Sequence, residues 1–187
     1  MLVSLDGFIE GPDRELDWHL IDEELHTFFN DQARAAGAFL YGRRLYELMA
    51  AYWPTADQDP SAPAYVAEFA RIWRDKPKVV FSRTLDKVDW NSRLVRDGAA
   101  DEVARLKAQP GGELQLGGPN LASTFMRLGM IDEYGLSVQP VVIGGGTPYF
   151  PASVGPVDLR LVATRTFASG VVDLRYERAG DEGTGTA

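Results

Sequence analysis

Short apolar strands alternate with amphipathic helices along most of this chain, and the strands stop at glycine or hydroxyl turns. No other feature constrains the fold as much. Such alternation calls for βαβ units and a mainly parallel sheet flanked by helices. The pattern predicts strands at 2–5, 38–41, 78–81, 93–96 and 113–116. A helix is expected from Asp22, with Leu25, Phe28, Phe29, Ala33 and Ala36 on one face and Gly37 as its stop. Leu45, Leu48, Met49 and Tyr52 mark the next helix, and others are expected at 65–73, 99–108 and 120–128. Residues 54–63, rich in Pro, Asp and Ser, read as a loop. A long strand at 133–143 runs into Gly144-Gly145-Gly146, and 158–167 and 171–178 read as a closing antiparallel hairpin. The expected organisation is one α/β domain over 1–178 with a disordered tail at 179–187.

Composition narrows the function. The net charge is −8, and residues 1–60 carry 12 acids against 4 bases. Such a surface repels phosphate backbones, so nucleic acid is not an expected partner. Nothing is apolar enough over a sufficient length to span a membrane, and no basic, apolar leader opens the chain. A cytoplasmic location is therefore expected. The chain has no cysteine, which excludes disulfides and thiolate metal sites. His19, Glu23 and His26 share a helical face, but without further ligands no metal is expected.

Three strand-to-helix turns carry chemistry suited to a dinucleotide. In parallel sheets ligands bind beyond the carboxyl ends of the strands. At Leu40-Tyr41-Gly42-Arg43-Arg44 a glycine admits a close approach, a helix start offers N–H groups and two arginines add charge. Phe81-Ser82-Arg83-Thr84 brings two hydroxyls and a guanidinium. Leu116-Gly117-Gly118-Pro119-Asn120-Leu121 opens a helix through a glycine turn. Each turn alone also fits a solvated or tightly packed loop, and no G-x-G-x-x-G or P-loop signature is present. Together, with basic side chains at two of them, they favour NADPH over NADH.

The segments VSLDGFIEGPDRELDW, LYGRRLYE, VVFSRTL, LQLGGPNLASTFMRLGMIDEYGLSVQPVVIGGGTPYF and FASGVVDLRYE resemble, in order, the blocks of the riboflavin-biosynthesis reductase C-terminal domains, within the dihydrofolate reductase-like superfamily. The resemblance runs from Val3 to about Arg178 and is most specific over 114–150. It implies a dihydrofolate reductase-like, mostly parallel eight-stranded sheet, NADPH as cofactor and a homodimer. It implies that Ile9 lies near the nicotinamide and that Gly42, Arg43, Arg44 and Leu45 meet the phosphates. Ser82 and Arg83 would sit by the adenosine end, and Gly117, Gly118, Asn120 and Leu121 would hold the pyrophosphate. The segment 140–150 would border the substrate, with Tyr149 and Phe150 stacking on it. The chain departs from the family in three respects. The first strand looks clipped, Leu45 stands where a threonine is common, and the zinc deaminase half cannot be built without cysteine.

Hydride delivery leaves negative charge that a proton must neutralise. Folate reductases place a carboxylate just after a Trp-x-Leu segment. Here Trp18-His19-Leu20 precedes Asp22 and Glu23, with Glu23 the gapless match. Asp22 equally suits a helix N-cap, and Asp6, in Asp6-Gly7, equally suits a turn. Trp18 and Tyr46 are candidates to line a flat substrate, with core packing as the equal alternative. The resulting expectation is an NADPH-dependent reductase of a small heterocyclic or carbonyl substrate, similar to 5-amino-6-(5-phosphoribosylamino)uracil reductase. Dihydrofolate reduction and a non-catalytic NADPH-binding protein are the alternatives.

Overall fold

The computed structural model describes residues 1–179. Its contacts divide into two compact units, one of residues 21–124 and one of residues 1–20 with the described residues from 125 onward. The expected tail lies outside the described residues except Ala179, whose N–H donates to the Asp158 carbonyl at 2.9 Å.

The 21–124 unit holds a four-stranded, all-parallel sheet. In chain order it runs α1 (Glu23–Ala35), β3 (Ala38–Gly42), α2 (Arg43–Tyr52), a 3-10 helix (Trp53–Gln58), α3 (Ala64–Asp75), β4 (Lys78–Phe81), β5 (Ser92–Val95), α4 (Ala99–Lys107), β6 (Leu114–Gly117) and the start of α5 (Pro119–Arg127), with β1 (Leu2–Ser4) and β2 (Phe8–Glu10) preceding it in the chain. The strand order is β5-β4-β3-β6. The chain steps from β3 to β4 and β5 on one side, then crosses back through α4 to β6 on the other. The order therefore reverses between β3 and β6, the kind of point where parallel sheets open a crevice beyond their carboxyl ends. Sequence reading placed a loop at 54–63; its first half is instead the 3-10 helix. Arg74 fastens that helix by two bonds to the Asp57 carboxylate, each 2.7 Å, and one to the Pro54 carbonyl at 2.9 Å.

The core explains the apolar runs. Ala33, Ala36, Phe39, Tyr41, Tyr46, Trp73 and Val80 form one buried cluster. A strand covered on both faces reads as a continuous hydrophobic run, as Ala38-Phe39-Leu40-Tyr41 does. Lys78 is buried among these groups. Its ammonium donates to the Trp73 carbonyl at 2.5 Å and the Lys76 carbonyl at 2.8 Å, and lies 4.3 Å from the Trp73 ring. It thus closes the C-terminus of α3, and burial pushes its pKa down to about 8.

The other unit holds β1 and β2 with β7 (Glu133–Gln139), β8 (Thr147–Pro148), β9 (Leu159–Thr166) and β10 (Val172–Arg178). Its main sheet has the order β1-β7-β10-β9, parallel between β1 and β7 and antiparallel beyond, so the closing hairpin is present as expected. A two-stranded antiparallel ladder joins β2 to β8. Two expectations shift here. The strand at 2–5 stops at Ser4, and β2 forms in what read as loop. The strand at 133–143 stops at Gln139, because Pro140 has no N–H to continue a ladder. Among the described residues no helix is long and apolar enough to cross a membrane.

Candidate functional site

Two glycine turns stand side by side at the switch point of the parallel sheet. β3 ends at Gly42, which is the N-cap of α2 and has no side chain to satisfy the helix's first N–H groups. β6 ends at Gly117, and Gly118 turns with φ +97 into α5, where Pro119 suits the first helical position. A Cβ on Gly118 would lie 3.8 Å from the Gly42 nitrogen and 3.5 Å from the Leu45 Cβ. A Cβ on Gly42 would meet the Leu121 Cβ at 3.6 Å. A Cβ on Gly117 would strike the Leu45 side chain and come within 3.2 Å of the Tyr41 ring. Two helix N-termini therefore converge on a floor kept bare of side chains, a form that accepts a pyrophosphate. The structure brings Gly42, Gly117, Gly118 and Leu121 together. Leu45 has an apolar role, packing against both glycines of the β6 turn. Asn120 is exposed on the first turn of α5.

Cationic groups rise on the neighbouring strand ends. Arg43 donates to the Glu47 carboxylate at 3.1 Å and to the Thr84 hydroxyl at 2.8 Å, linking the β3 turn to the β4 turn. Arg44 is exposed on the first turn of α2. The Ser82 oxygen accepts the Thr84 and Leu85 N–H groups at 3.2 and 3.1 Å and so shapes the turn itself. Arg83 pairs with Asp97 at 3.0 Å on the surface. Exposed pairs of this kind are worth at most about 1 kcal/mol, so a phosphate can displace the carboxylates. Sequence reasoning missed Arg96, at the end of β5. Its guanidinium donates to the Arg83 and Asp86 carbonyls, each at 3.3 Å, and braces the β4 turn. Its signal was available, since Val95-Arg96-Asp97-Gly98 is a fourth strand-to-helix turn.

Among the proposed carboxylates of this unit, Asp22 is the N-cap of α1 and accepts the Leu25 N–H at 2.8 Å. Glu23 follows it, exposed and without a hydrogen-bond partner among the described residues. Tyr46 is buried at 5% exposure, and its hydroxyl accepts the Asp89 N–H at 2.8 Å and donates to the Asp89 carbonyl at 3.1 Å. Tyr46 thus clasps the 85–91 loop from within the core, the packing alternative for this residue.

In the other unit, the most specific blocks of the sequence zip together. Leu5 N–H donates to the Val141 carbonyl at 2.8 Å, and Tyr149 N–H to the Gly7 carbonyl at 2.9 Å. The Asp6 carboxylate accepts the Ile143 and Gly144 N–H groups at 3.2 and 2.8 Å. The Ser4 hydroxyl first, then these two amides, hold its pKa below the usual carboxylate range. The Asp6 carboxylate thus clamps the loop at Ile143 and Gly144. Gly146, at φ +135, passes the Glu10 backbone so closely that a Cβ would overlap the Glu10 carbonyl. The Thr147 hydroxyl donates to the Glu10 carboxylate at 2.8 Å. Glu10, 8% exposed, is a second group that sequence reasoning missed. Ile9 is buried on β2. Trp18 donates to the Glu15 carbonyl at 3.2 Å and stands edge-on to His19 at 4.2 Å. Leu20 N–H reaches the fully buried Gln139 at 2.8 Å. Tyr149 is half-buried, with burial and then Tyr134 pushing its hydroxyl pKa up, and Phe150, 45% exposed, packs on both rings.

The chain matches the model of the RibD C-terminal domain over residues 1–172. It is 39% identical over 177 residues to the Bacillus subtilis protein YyaP, covering 94% of this chain and 91% of that one. A Thermotoga maritima diaminohydroxyphosphoribosylaminopyrimidine deaminase/5-amino-6-(5-phosphoribosylamino)uracil reductase shares the fold with a TM-score of 0.64 at 17% identity, over 95% of this chain and 55% of that one. A dihydrofolate reductase from Enterococcus faecalis, complexed with NADP(H) and RAB-propyl, shares it with a TM-score of 0.63 at 17% identity, over 95% of this chain and 92% of that one. The fold is thus dihydrofolate reductase-like, and the chain belongs to the RibD C-terminal domain family.

Proposed function

We propose that this protein is an NADPH-dependent reductase of a small heterocyclic or carbonyl substrate, of the riboflavin-pathway type. The paired glycine turns at the β3/β6 switch point carry the reading. Gly42, Gly117 and Gly118 would hold the pyrophosphate against two helix N-termini, while Arg43, Arg44 and Arg83 would offer charge to a further phosphate. When bound, the nicotinamide supplies hydride. Family membership supports the same reading, and so does the shared fold with a protein named as 5-amino-6-(5-phosphoribosylamino)uracil reductase. Asp22 is committed to its cap and Asp6 to its loop, which leaves Glu23 or solvent water to deliver the proton.

Titration with NADPH and with NADH, followed by tryptophan fluorescence, tests the proposal. Saturable NADPH binding, clearly tighter than NADH, is expected. Arg43→Ala should weaken NADPH about tenfold or more and NADH less, since a charge-assisted contact is worth about 1.5–3 kcal/mol. Failure to bind either nucleotide overturns the reading. Loss of reduced-nicotinamide absorbance with the phosphoribosylamino-uracil substrate, against dihydrofolate, then selects the reaction. Binding without turnover of either would favour a non-catalytic role.

A further inference from the structure

One face of α2 leads away from the glycine floor. Leu45, Leu48 and Tyr52 stand at i, i+3 and i+7 and so share that face. Leu45 packs against the Gly117-Gly118 turn. Leu48 and Tyr52 are each 55% exposed, an apolar stripe left open on the helix. The stripe ends at a cavity of about 310 Å³. Tyr52, at its edge, lies about 10 Å along the helix from Leu45.

The cavity lies wholly within the 21–124 unit. Tyr52 closes α2 beside it, Thr55 and Ala56 come from the 3-10 helix, Val66 from α3, and Asp59 and Ser61 from the loop between. Among the described residues no lysine or arginine lines it. Arg74 is held by Asp57 instead. The Asp59 Oδ1 accepts the Ser61 hydroxyl at 2.7 Å and its N–H at 2.8 Å, and these bonds hold the carboxyl pKa below the usual range. Its Oδ2 makes no hydrogen bond among the described residues, and neither does the Tyr52 or the Thr55 hydroxyl. Three unspent polar groups thus share one cavity: a charged acceptor and two hydroxyls that can donate or accept.

We propose that the substrate lies along this stripe, its ring against Leu48 and Tyr52, and that the end seated in the cavity is an uncharged hydroxylated group, such as a sugar without phosphate. The placement rests on the reductase reading, because it takes the Leu45 end as the cofactor side; the charge preference of the cavity does not. A sugar hydroxyl can donate to Asp59 while its neighbours exchange hydrogen bonds with Tyr52 and Thr55. A phosphate or carboxylate would instead meet the Asp59 charge with no cation to offset it. The N-terminus of α3 also reaches the cavity, at Pro63, but its partial charge of about +0.5 does not cancel a full negative one. Repulsion of this kind discriminates between ligands as well as attraction does. Both substrates named above end in an anion, a phosphate in one and carboxylates in the other. Each should bind less well than its counterpart lacking that group.

Calorimetric titration of the full chain, with and without NADPH, compares the phosphoribosylamino-uracil with the same compound lacking its phosphate. The unphosphorylated form should bind about fivefold tighter or more, the order of one partly screened charge repulsion. Asp59→Asn can keep both Ser61 bonds and should narrow the gap to about twofold or less. Thr55→Arg, at an exposed position on the cavity wall, should reverse the preference. Asp101→Asn removes an equal charge from the surface of α4 and should leave the gap as in wild type. Melting curves should stay unchanged in all three. Equal or tighter binding of the phosphorylated form overturns the proposal, as does binding of neither form. So does a preference that survives Thr55→Arg, or one that Asp101→Asn narrows as much as Asp59→Asn. Failure of the reductase reading shows separately, as a chain that does not bind NADPH.

Discussion

The two units of this protein use glycine to opposite ends. In the 21–124 unit, Gly42, Gly117 and Gly118 keep a floor bare, and nothing in the fold requires it to be filled. In the other unit, Gly146 lets two strands of the chain press together, with the Glu10 carbonyl where a side chain would stand. The same residue type thus serves ligand access in one region and packing in the other. A glycine motif becomes informative only when its neighbours are known: Leu45 and Tyr41 crowd Gly117 from the side, whereas Glu10 crowds Gly146 with backbone.

Substitution should separate the two uses sharply. Gly146→Ala combines left-handed backbone strain with a backbone overlap, so we expect a loss of about 4 kcal/mol or more in denaturant unfolding. A small loss would mean that the β2 region yields freely and that the zip is not structural. Buried charge distinguishes the units next. Lys78 has a folded pKa of about 8 against an ordinary 10.5. Between these values the unfolded chain binds more protons than the folded one, so stability should rise as pH increases from about 8 to 10.5 and be flat below it. The gain is at most about 3.4 kcal/mol, and Lys78→Met should abolish the slope. A slope that survives in the variant would place its origin elsewhere.

Gly117→Ala should act on binding. The Leu45 side chain can shift to admit a methyl group at the cost of filling the floor, so NADPH affinity should fall about tenfold, roughly 1.4 kcal/mol, more than folding suffers. Equal effects on folding and affinity would erase the contrast with Gly146. The smallest effect divides two adjacent carboxylates. Asp22→Ala should cost about 1 kcal/mol of stability through its lost cap. Glu23→Gln should leave stability within about 0.5 kcal/mol. A drop in turnover confined to Glu23→Gln, steeper at high pH, would make Glu23 the proton donor.

Much of this architecture was legible in advance because its signals are local. The run Ala38-Phe39-Leu40-Tyr41 shows its burial by being apolar on every position, and the hairpin around Ala168-Ser169-Gly170 follows from turn chemistry. The β2 strand was not legible. Phe8-Ile9-Glu10 is too short to show a period, and its partner Thr147–Pro148 is more than a hundred residues away. Arg96 was passed over because it reads as one more charged turn, and only its bonds to the Arg83 and Asp86 carbonyls show what it supports.

By itself, then, the sequence determined the α/β alternation, the family and the set of glycine and arginine turns available to a phosphate, because these depend on residue type and spacing along the chain. The tertiary structure decided which of those groups meet. Strand order set Gly42 beside Gly118, a long-range approach put Asp6 onto the Gly144 loop, and core packing turned Tyr46 inward. Each of those outcomes depends on contacts between residues far apart in the chain, which no local pattern encodes.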